Sequence, residues 1–264
     1  MGFGDVRSLV IVAEPRSGSN LLVDALREVP GLGRVEEWFD EFYLHDRLVA
    51  CRAADHTSTP GAPRATCGSR AVEQLLSTYR GTGWFGVKLH RHQFLAAERA
   101  NLGDVLEHLE SLTGPPTVVM LTRRDKVRQA VSTFLAVHTG IWVQRADGTQ
   151  ERSTSPVRRY WDSTNPSLQT AGRTVPEFDY DEVRLILEDI IDSESWWQRQ
   201  FAVRHWAAHQ LTYEDLVDAR VKTLDGFFLA LGFADLQAPS PTLRRQSTAV
   251  NDAYVARFLQ HATM

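Results

Sequence analysis

Cysteine is scarce in this chain: Cys51 and Cys67 are the only two in 264 residues. So few do not make a disulfide scaffold, and in a chain of this size they read as two thiols in a reducing compartment, with a single Cys51–Cys67 bridge as the alternative. Long apolar runs are also missing, which leaves no stretch of transmembrane length. No charge sign dominates. The net charge is −4, so bulk attraction to nucleic acid is not indicated. There is no internal repeat and no low-complexity tract. The opening MGFGDVRSL is too short and too mixed for a secretory signal, and Val6 stands where a lipidation pattern needs Ser or Thr. The expectation is a cytoplasmic protein with no membrane span and no nucleic-acid partner. With 43% hydrophobic and 23% charged residues, the chain has enough apolar material for one sizeable α/β domain.

The informative stretch is Ser8–Trp38. An apolar run of strand length, SLVIVA, meets a turn carrying Arg16, Ser17, Gly18, Ser19 and Asn20. Leu21, Leu22, Ala25 and Leu26 follow at helical spacing. A strand that turns sharply into a helix offers unpaired backbone N–H groups and the positive end of a helix dipole, which together form an anion site. Gly18 permits close backbone approach, the serines add hydroxyls, and Arg16 adds a planar cationic fork suited to phosphate or sulfate. The G-x-x-x-x-G-K-[ST] pattern of nucleoside triphosphate sites is absent.

Strands are expected at Ser8–Ala13, Phe85–Leu89, Thr117–Thr122 and His209–Tyr213. Helix patterns fall at Arg70–Tyr79, Asp104–Leu112, Lys126–Val137, Asp181–Phe201 and Leu224–Leu231, with Gly232 at a helix stop. Such alternation predicts an α/β fold whose mainly parallel sheet is wrapped by helices. Residues 1–264 read as one domain with long loops near 45–69 and 144–177, either ligand walls or surface insertions. The second strand design repeats the first. TVVMLT runs into Arg123, Arg124 and Asp125, and Ser132 lies about two turns into the next helix. Two separated anion sites at two strand ends suit one ligand with phosphates at both ends.

The motifs RSGSNLL, GRVEEWF, VKLHRHQ, LTRRDKVRQAVS, VHTGIW and RRQ occur in this order, and the chain resembles the trehalose 2-sulfotransferase-type bacterial sulfotransferases over most of its length. The resemblance implies a P-loop-like three-layer fold and the donor 3′-phosphoadenosine 5′-phosphosulfate, with 3′-phosphoadenosine 5′-phosphate as product and no metal. It also implies a small hydroxylated acceptor, and a homodimer is compatible with it. On the matching positions, Arg16, Ser17, Gly18, Ser19 and Asn20 would hold the 5′-phosphosulfate. Asn20 replaces the family's usual Thr. Arg123 and Ser132 would hold the 3′-phosphate, with Arg245 from the RRQ segment.

Transfer to an alcohol needs a base for the hydroxyl proton and positive charge at the leaving phosphate. Glu36 and Glu37 are both candidates from the residues alone, and the family motif places the base on Glu37. A hydrophobic neighbour, Trp38 or Phe39, would raise its pKa. Arg16 is the leaving-group candidate, Lys88 is placed to contact the transferring group, and His90 is an auxiliary base alternating with His92 along an extended segment. Pro15, Arg34, Val35, Glu36, Trp38 and Phe39 are expected to line the acceptor pocket. Pro15 replaces a polar residue of the family's sugar enzyme, so a sugar, glycolipid or natural product is expected in place of trehalose itself. The alternatives are a phosphotransferase using a nucleoside triphosphate and a non-catalytic nucleotide-binding protein. His90-x-His92 and the His205–His209 spacing lack further metal ligands, and Trp196–Trp197 reads as helix packing.

Overall fold

In a computed structural model, residues 3–40, 67–100, 102–145, 147–152, 175–243 and 248–263 are described. The strands are β1 (Arg7–Ala13), β2 (Trp84–Leu89), β3 (Thr117–Thr122), β4 (Ile141–Gln144), β5 (Gln150–Arg152) and β6 (Ala208–Thr212). The helices are α1 (Ser19–Leu26), α2 (Cys67–Tyr79), α3 (Arg91–Arg99), α4 (Val105–Thr113), α5 (Lys126–Thr139), α6 (Tyr180–Arg204), α7 (Tyr213–Asp218), α8 (Arg220–Ala230) and α9 (Ala249–His261). A central, mainly parallel sheet with strand order β2-β1-β3-β6 is flanked by helices, the α/β class expected. β1 pairs with β2 in parallel, from Arg7 opposite Trp84 to Val12 opposite Leu89. Leu9, Val10 and Ile11 are completely buried, which is why β1 reads as a continuous apolar run and not as an alternating one.

The chain divides into two compact units. The first comprises Met1–Ala13, Leu26–Met120 and Gln200–Gln210. It holds β1, β2 and most of β3 and β6. Within it α4 is capped by Asp104, whose carboxylate accepts from Leu106 N and Glu107 N, both at 3.0 Å. The second comprises Glu14–Ala25, Leu121–Arg199 and Leu211–Met264. Its core joins Ala130, Val131 and Phe134 of α5 to Val183, Ile186 and Ile190 of α6 and Phe258 of α9. Burying a side chain of the Phe134 class contributes ~1.5–3 kcal/mol. Asp125 caps α5 by accepting from Arg128 N at 2.9 Å, and Gly140 ends it in the left-handed conformation at φ 71°.

Every strand and helix expected from the sequence is present, with ends displaced by a few residues. Among the described residues five elements are additional: helix α3, strands β4 and β5, and helices α7 and α9. The segment through His90 and His92 is a helix start, not an extended run: His90 is the N-cap of α3. The Gln93 side chain closes the helix start by accepting from His90 N at 3.0 Å, so the Ser, Thr or Asp that usually announces a helix is missing. Helix α6 ends at Arg204, and His205 adopts a positive φ of 55° before β6, so the His205–His209 spacing is not helical. Cys67 is in a disulfide, which corrects the expectation of two free thiols. Cys51, Arg245 and most of the two long loops lie outside the described residues. No helix among the described residues is long and apolar enough to cross a membrane.

Candidate active site

In the second unit the turn after β1 is built around two positive φ angles, 63° at Arg16 and 91° at Gly18. Gly18 is required there twice over. Its φ suits glycine, and a Cβ on it would lie 2.7 Å from Cδ2 of Tyr213. The backbone then enters α1, with Leu22 N donating to Gly18 O at 3.1 Å. Gln129 of α5 holds the turn by donating from Nε2 to Pro15 O at 2.9 Å. Arg16 donates from Nε to Ser132 Oγ at 3.0 Å and from its terminal nitrogen to Trp142 O. Arg123 donates from Nη1 to Arg16 O at 3.4 Å, and its guanidinium carbon lies 4.6 Å from the centre of the Tyr213 ring.

The electrostatics of this group are unusual. Burial first, and the neighbouring Arg123 second, push Arg16 down to about 10. Burial also lowers Arg123, although Tyr213, Asp125 and Glu214 oppose it. Both remain cations at neutral pH. Ser17 Oγ and Arg123 Nε are buried donors with no hydrogen-bond partner. A buried donor left without a partner costs ~1–3 kcal/mol, and an oxyanion arriving at the turn would remove that cost. The sequence reading expects two separated anion sites. The structure instead brings Arg16, Ser132 and Arg123 into one contiguous group, joined by the Arg16 Nε–Ser132 Oγ and Arg123 Nη1–Arg16 O hydrogen bonds.

In the first unit Glu37 stands at the centre of a second cluster. The segment before it lies along β2: Glu36 bridges Val87 in parallel, Lys88 N donates to Glu36 O at 2.9 Å, and Trp38 Nε1 donates to Gly86 O at 2.9 Å. Gly86 allows this approach, since a Cβ there would sit 2.5 Å from Val35 Cγ2. Extended alternation then separates the two glutamates. Glu36 turns to Arg34 at 3.0 Å. Glu37 Oε1 meets Lys88 Nζ at 2.7 Å and His90 Nε2 at 3.4 Å, and Oε2 accepts from Gln93 Nε2 at 2.5 Å. The Glu37 side chain keeps 25% of its surface exposed while Lys88 and His90 are buried, so one approach to the carboxylate stays open.

The balance of forces on Glu37 is downward. Desolvation raises its pKa, but the charges of Lys88 and then His90, with their hydrogen bonds, hold it well below the usual carboxylate range. The expected upward push from Trp38 or Phe39 does not prevail. His90 Nδ1 lies 2.5 Å from Ala13 O. A carbonyl only accepts, so that nitrogen carries a proton. Burial, then His90, pushes His92 down to about 3, and its ring stacks on His90 with centroids 5.5 Å apart.

Among the expected acceptor-lining residues, Val35, Trp38 and Phe39 are instead core: they are 3%, 0% and 0% exposed, and Trp38 stacks on Tyr79 at 3.9 Å. Their size and apolarity are used for packing. Arg34 is exposed and Pro15 contributes a backbone carbonyl. Three positioning side chains were not in the sequence reading. Gln93 and Gln129 lie inside its motifs. The His90–Gln93 spacing of a capping box and the i, i+3 relation of Gln129 to Ser132 would have revealed them. Tyr213 carries no local mark.

Comparison with known proteins accords with this arrangement. Residues 8–261 match the Stf0 sulphotransferase family. The chain is 24% identical to the trehalose 2-sulfotransferase of Mycobacterium tuberculosis (strain ATCC 35801 / TMC 107 / Erdman), over 97% of this chain and 96% of that one. It is 24% identical to the trehalose 2-sulfotransferase of Mycolicibacterium smegmatis (strain ATCC 700084 / mc(2)155), over 96% and 94%. The chain belongs to the Stf0 sulphotransferase family.

Proposed function

From that membership we propose that the chain transfers a sulfuryl group from 3′-phosphoadenosine 5′-phosphosulfate to a hydroxyl of a carbohydrate-class small molecule. We treat residues 1–264 as one catalytic domain, since the family match crosses both units. The observation that carries the reading is the pair of buried, unpartnered donors, Ser17 Oγ and Arg123 Nε, beside two guanidinium groups. That donor set fits phosphate and sulfate oxygens. The bound donor would supply an activated sulfuryl group. Arg16, Ser17, Gly18, Ser19 and Asn20 would hold its phosphosulfate, and Arg123 and Ser132 its 3′-phosphate. Arg16, bonded to Ser132, belongs to both sets.

Glu37 takes the proton of the acceptor hydroxyl. Lys88 keeps that carboxylate ionised before the reaction and remains a cation after Glu37 is neutralised. It thus offers positive charge to a group that becomes more negative. His90, anchored on Ala13 O, holds the same oxygen of Glu37. The acceptor class follows the relatives' printed names; at 24% identity trehalose itself is not carried over. The test is a panel of mono- and disaccharides and glycolipids incubated with sulfur-labelled donor, with and without Mg²⁺. Labelled product from at least one acceptor is expected, without need of Mg²⁺. Label confined to inorganic sulfate across the panel, with no binding of 3′-phosphoadenosine 5′-phosphate by calorimetry, would reject the reading.

A further inference from the structure

Gln93 is the least conspicuous member of the Glu37 cluster and the most constrained. It is 2% exposed. Its amide oxygen accepts from His90 N at 3.0 Å, closing the capping box of α3. That bond decides which way round the amide sits. The oxygen faces an N–H, so the NH₂ group faces outward to carboxylates: Glu37 Oε2 at 2.5 Å and Asp40 Oδ2 at 3.4 Å. The reversed amide would put its oxygen against two anions and two N–H hydrogens against a third. Asp40 is itself buried, at 6%. Two carboxylates three residues apart thus share one neutral donor between them.

We propose that Gln93 is a positioning residue for Glu37: its locked amide fixes the second carboxylate oxygen and screens Glu37 from Asp40. The inference rests on Glu37 being the base of the proposed transfer. The other oxygen is held by Lys88 and His90, so with Gln93 in place the carboxylate is restrained at both ends. The charged and titratable groups facing Glu37 are Lys88 from β2, His90 and His92 from the start of α3, and Asp40 beyond the Gln93 amide. Helix α3 therefore serves two purposes with one residue, since the side chain that caps it also aims the carboxylate.

The test uses the full chain and the variant Q93E. A glutamate retains an acceptor for His90 N, so the cap survives, but it replaces a donor between two carboxylates by a third carboxylate. The Glu37 titration is followed by NMR on carboxyl-labelled glutamate, its resonance identified by loss in E37Q. In the wild type the midpoint is expected below the ordinary glutamate range, and in Q93E about one unit or more higher. With an acceptor in hand, kcat falls about tenfold or more, the donor KM stays within twofold, and the acid limb of the pH profile moves up with the NMR midpoint. A Glu37 midpoint in Q93E equal to that of the wild type would overturn the proposal. So would a lowered melting temperature as the only change. If Q93E does not fold, the double variant E37Q/Q93E decides, because it restores an amide–carboxylate pair with the roles exchanged. It is expected to fold, whereas a double variant that fails to fold as Q93E does overturns the proposal. The NMR titration requires no turnover. A wild type that transfers no sulfate therefore rejects the function while the positioning of Glu37 is still measured on its own.

Discussion

Around Glu37 opposite charges meet, with Lys88 and His90 on one carboxylate oxygen and the Gln93 amide on the other. Around the turn after β1 like charges meet: Arg123 adds to burial in lowering the pKa of Arg16, and Ser17 Oγ and Arg123 Nε have no hydrogen-bond partner. In the first cluster both carboxylate oxygens of Glu37 are already held. The second carries a deficit that an anion would fill. This difference fits the proposed division of work. A base must be held in one geometry and one ionisation state before the acceptor arrives. A donor site gains affinity by keeping its own polar groups unsatisfied until the ligand supplies the acceptors.

The strongest way to separate the two regions is Glu37→Gln. Removing the proposed base is expected to lower kcat by ~10²–10⁴-fold while the affinity for 3′-phosphoadenosine 5′-phosphate stays within twofold. Initial rates with labelled donor and titration calorimetry measure the two quantities on the same preparation. If nucleotide affinity collapsed as well, the clusters would not be functionally distinct.

The converse experiment acts on the turn. Arg123→Ala removes a charge-assisted contact, for which ~10–100-fold weaker nucleotide binding is expected. Tyr213 refines the point, because its ring lies against both Gly18 and the Arg123 guanidinium. Loss of a cation–π contact in Tyr213→Leu is expected to weaken nucleotide binding ~3–30-fold, while Tyr213→Phe keeps the ring and stays within twofold. Equal losses in the Leu and Phe variants would mean that the hydroxyl, not the ring face, carries the role.

The smallest effect is on stability against pH. His92 is held neutral, down to about 3 from an ordinary 6.5. Between those values the unfolded chain binds the extra proton, so the contribution of this site is complete above 6.5 and is lost as pH falls toward about 3. Glu37 shares the sign but acts lower, below the ordinary carboxylate range. Melting curves from pH 7 to about pH 5 separate the histidines from the carboxylates, which titrate mainly below that range. The variant His92→Asn is expected to flatten the decline there, and an unchanged slope would remove His92 as its source.

Local chemistry made much of this molecule legible. The apolar run of β1 is continuous because both faces are covered, and the helices after β1 and β3 show their apolar spacing directly. The turn residues Arg16 to Asn20 and the pair Arg123 and Ser132 stand in short motifs whose composition states an affinity for anions. The His90–His92 segment was misread because a histidine N-cap imitates strand alternation. Val35, Trp38 and Phe39 were misread because a large apolar residue beside a candidate base suits a pocket wall as well as a core, and only burial distinguishes the two.

By itself the sequence determined the class of fold and marked the candidate anion turn, since periodicity and turn composition act within a few residues and need no distant partner. Tertiary structure alone decided which glutamate turns toward Lys88, that Arg16 reaches Ser132, and that Tyr213 closes on Gly18. Those outcomes depend on side chains from 51 to 195 positions apart along the chain. Chain folding sets such distances through packing, and no local pattern records them.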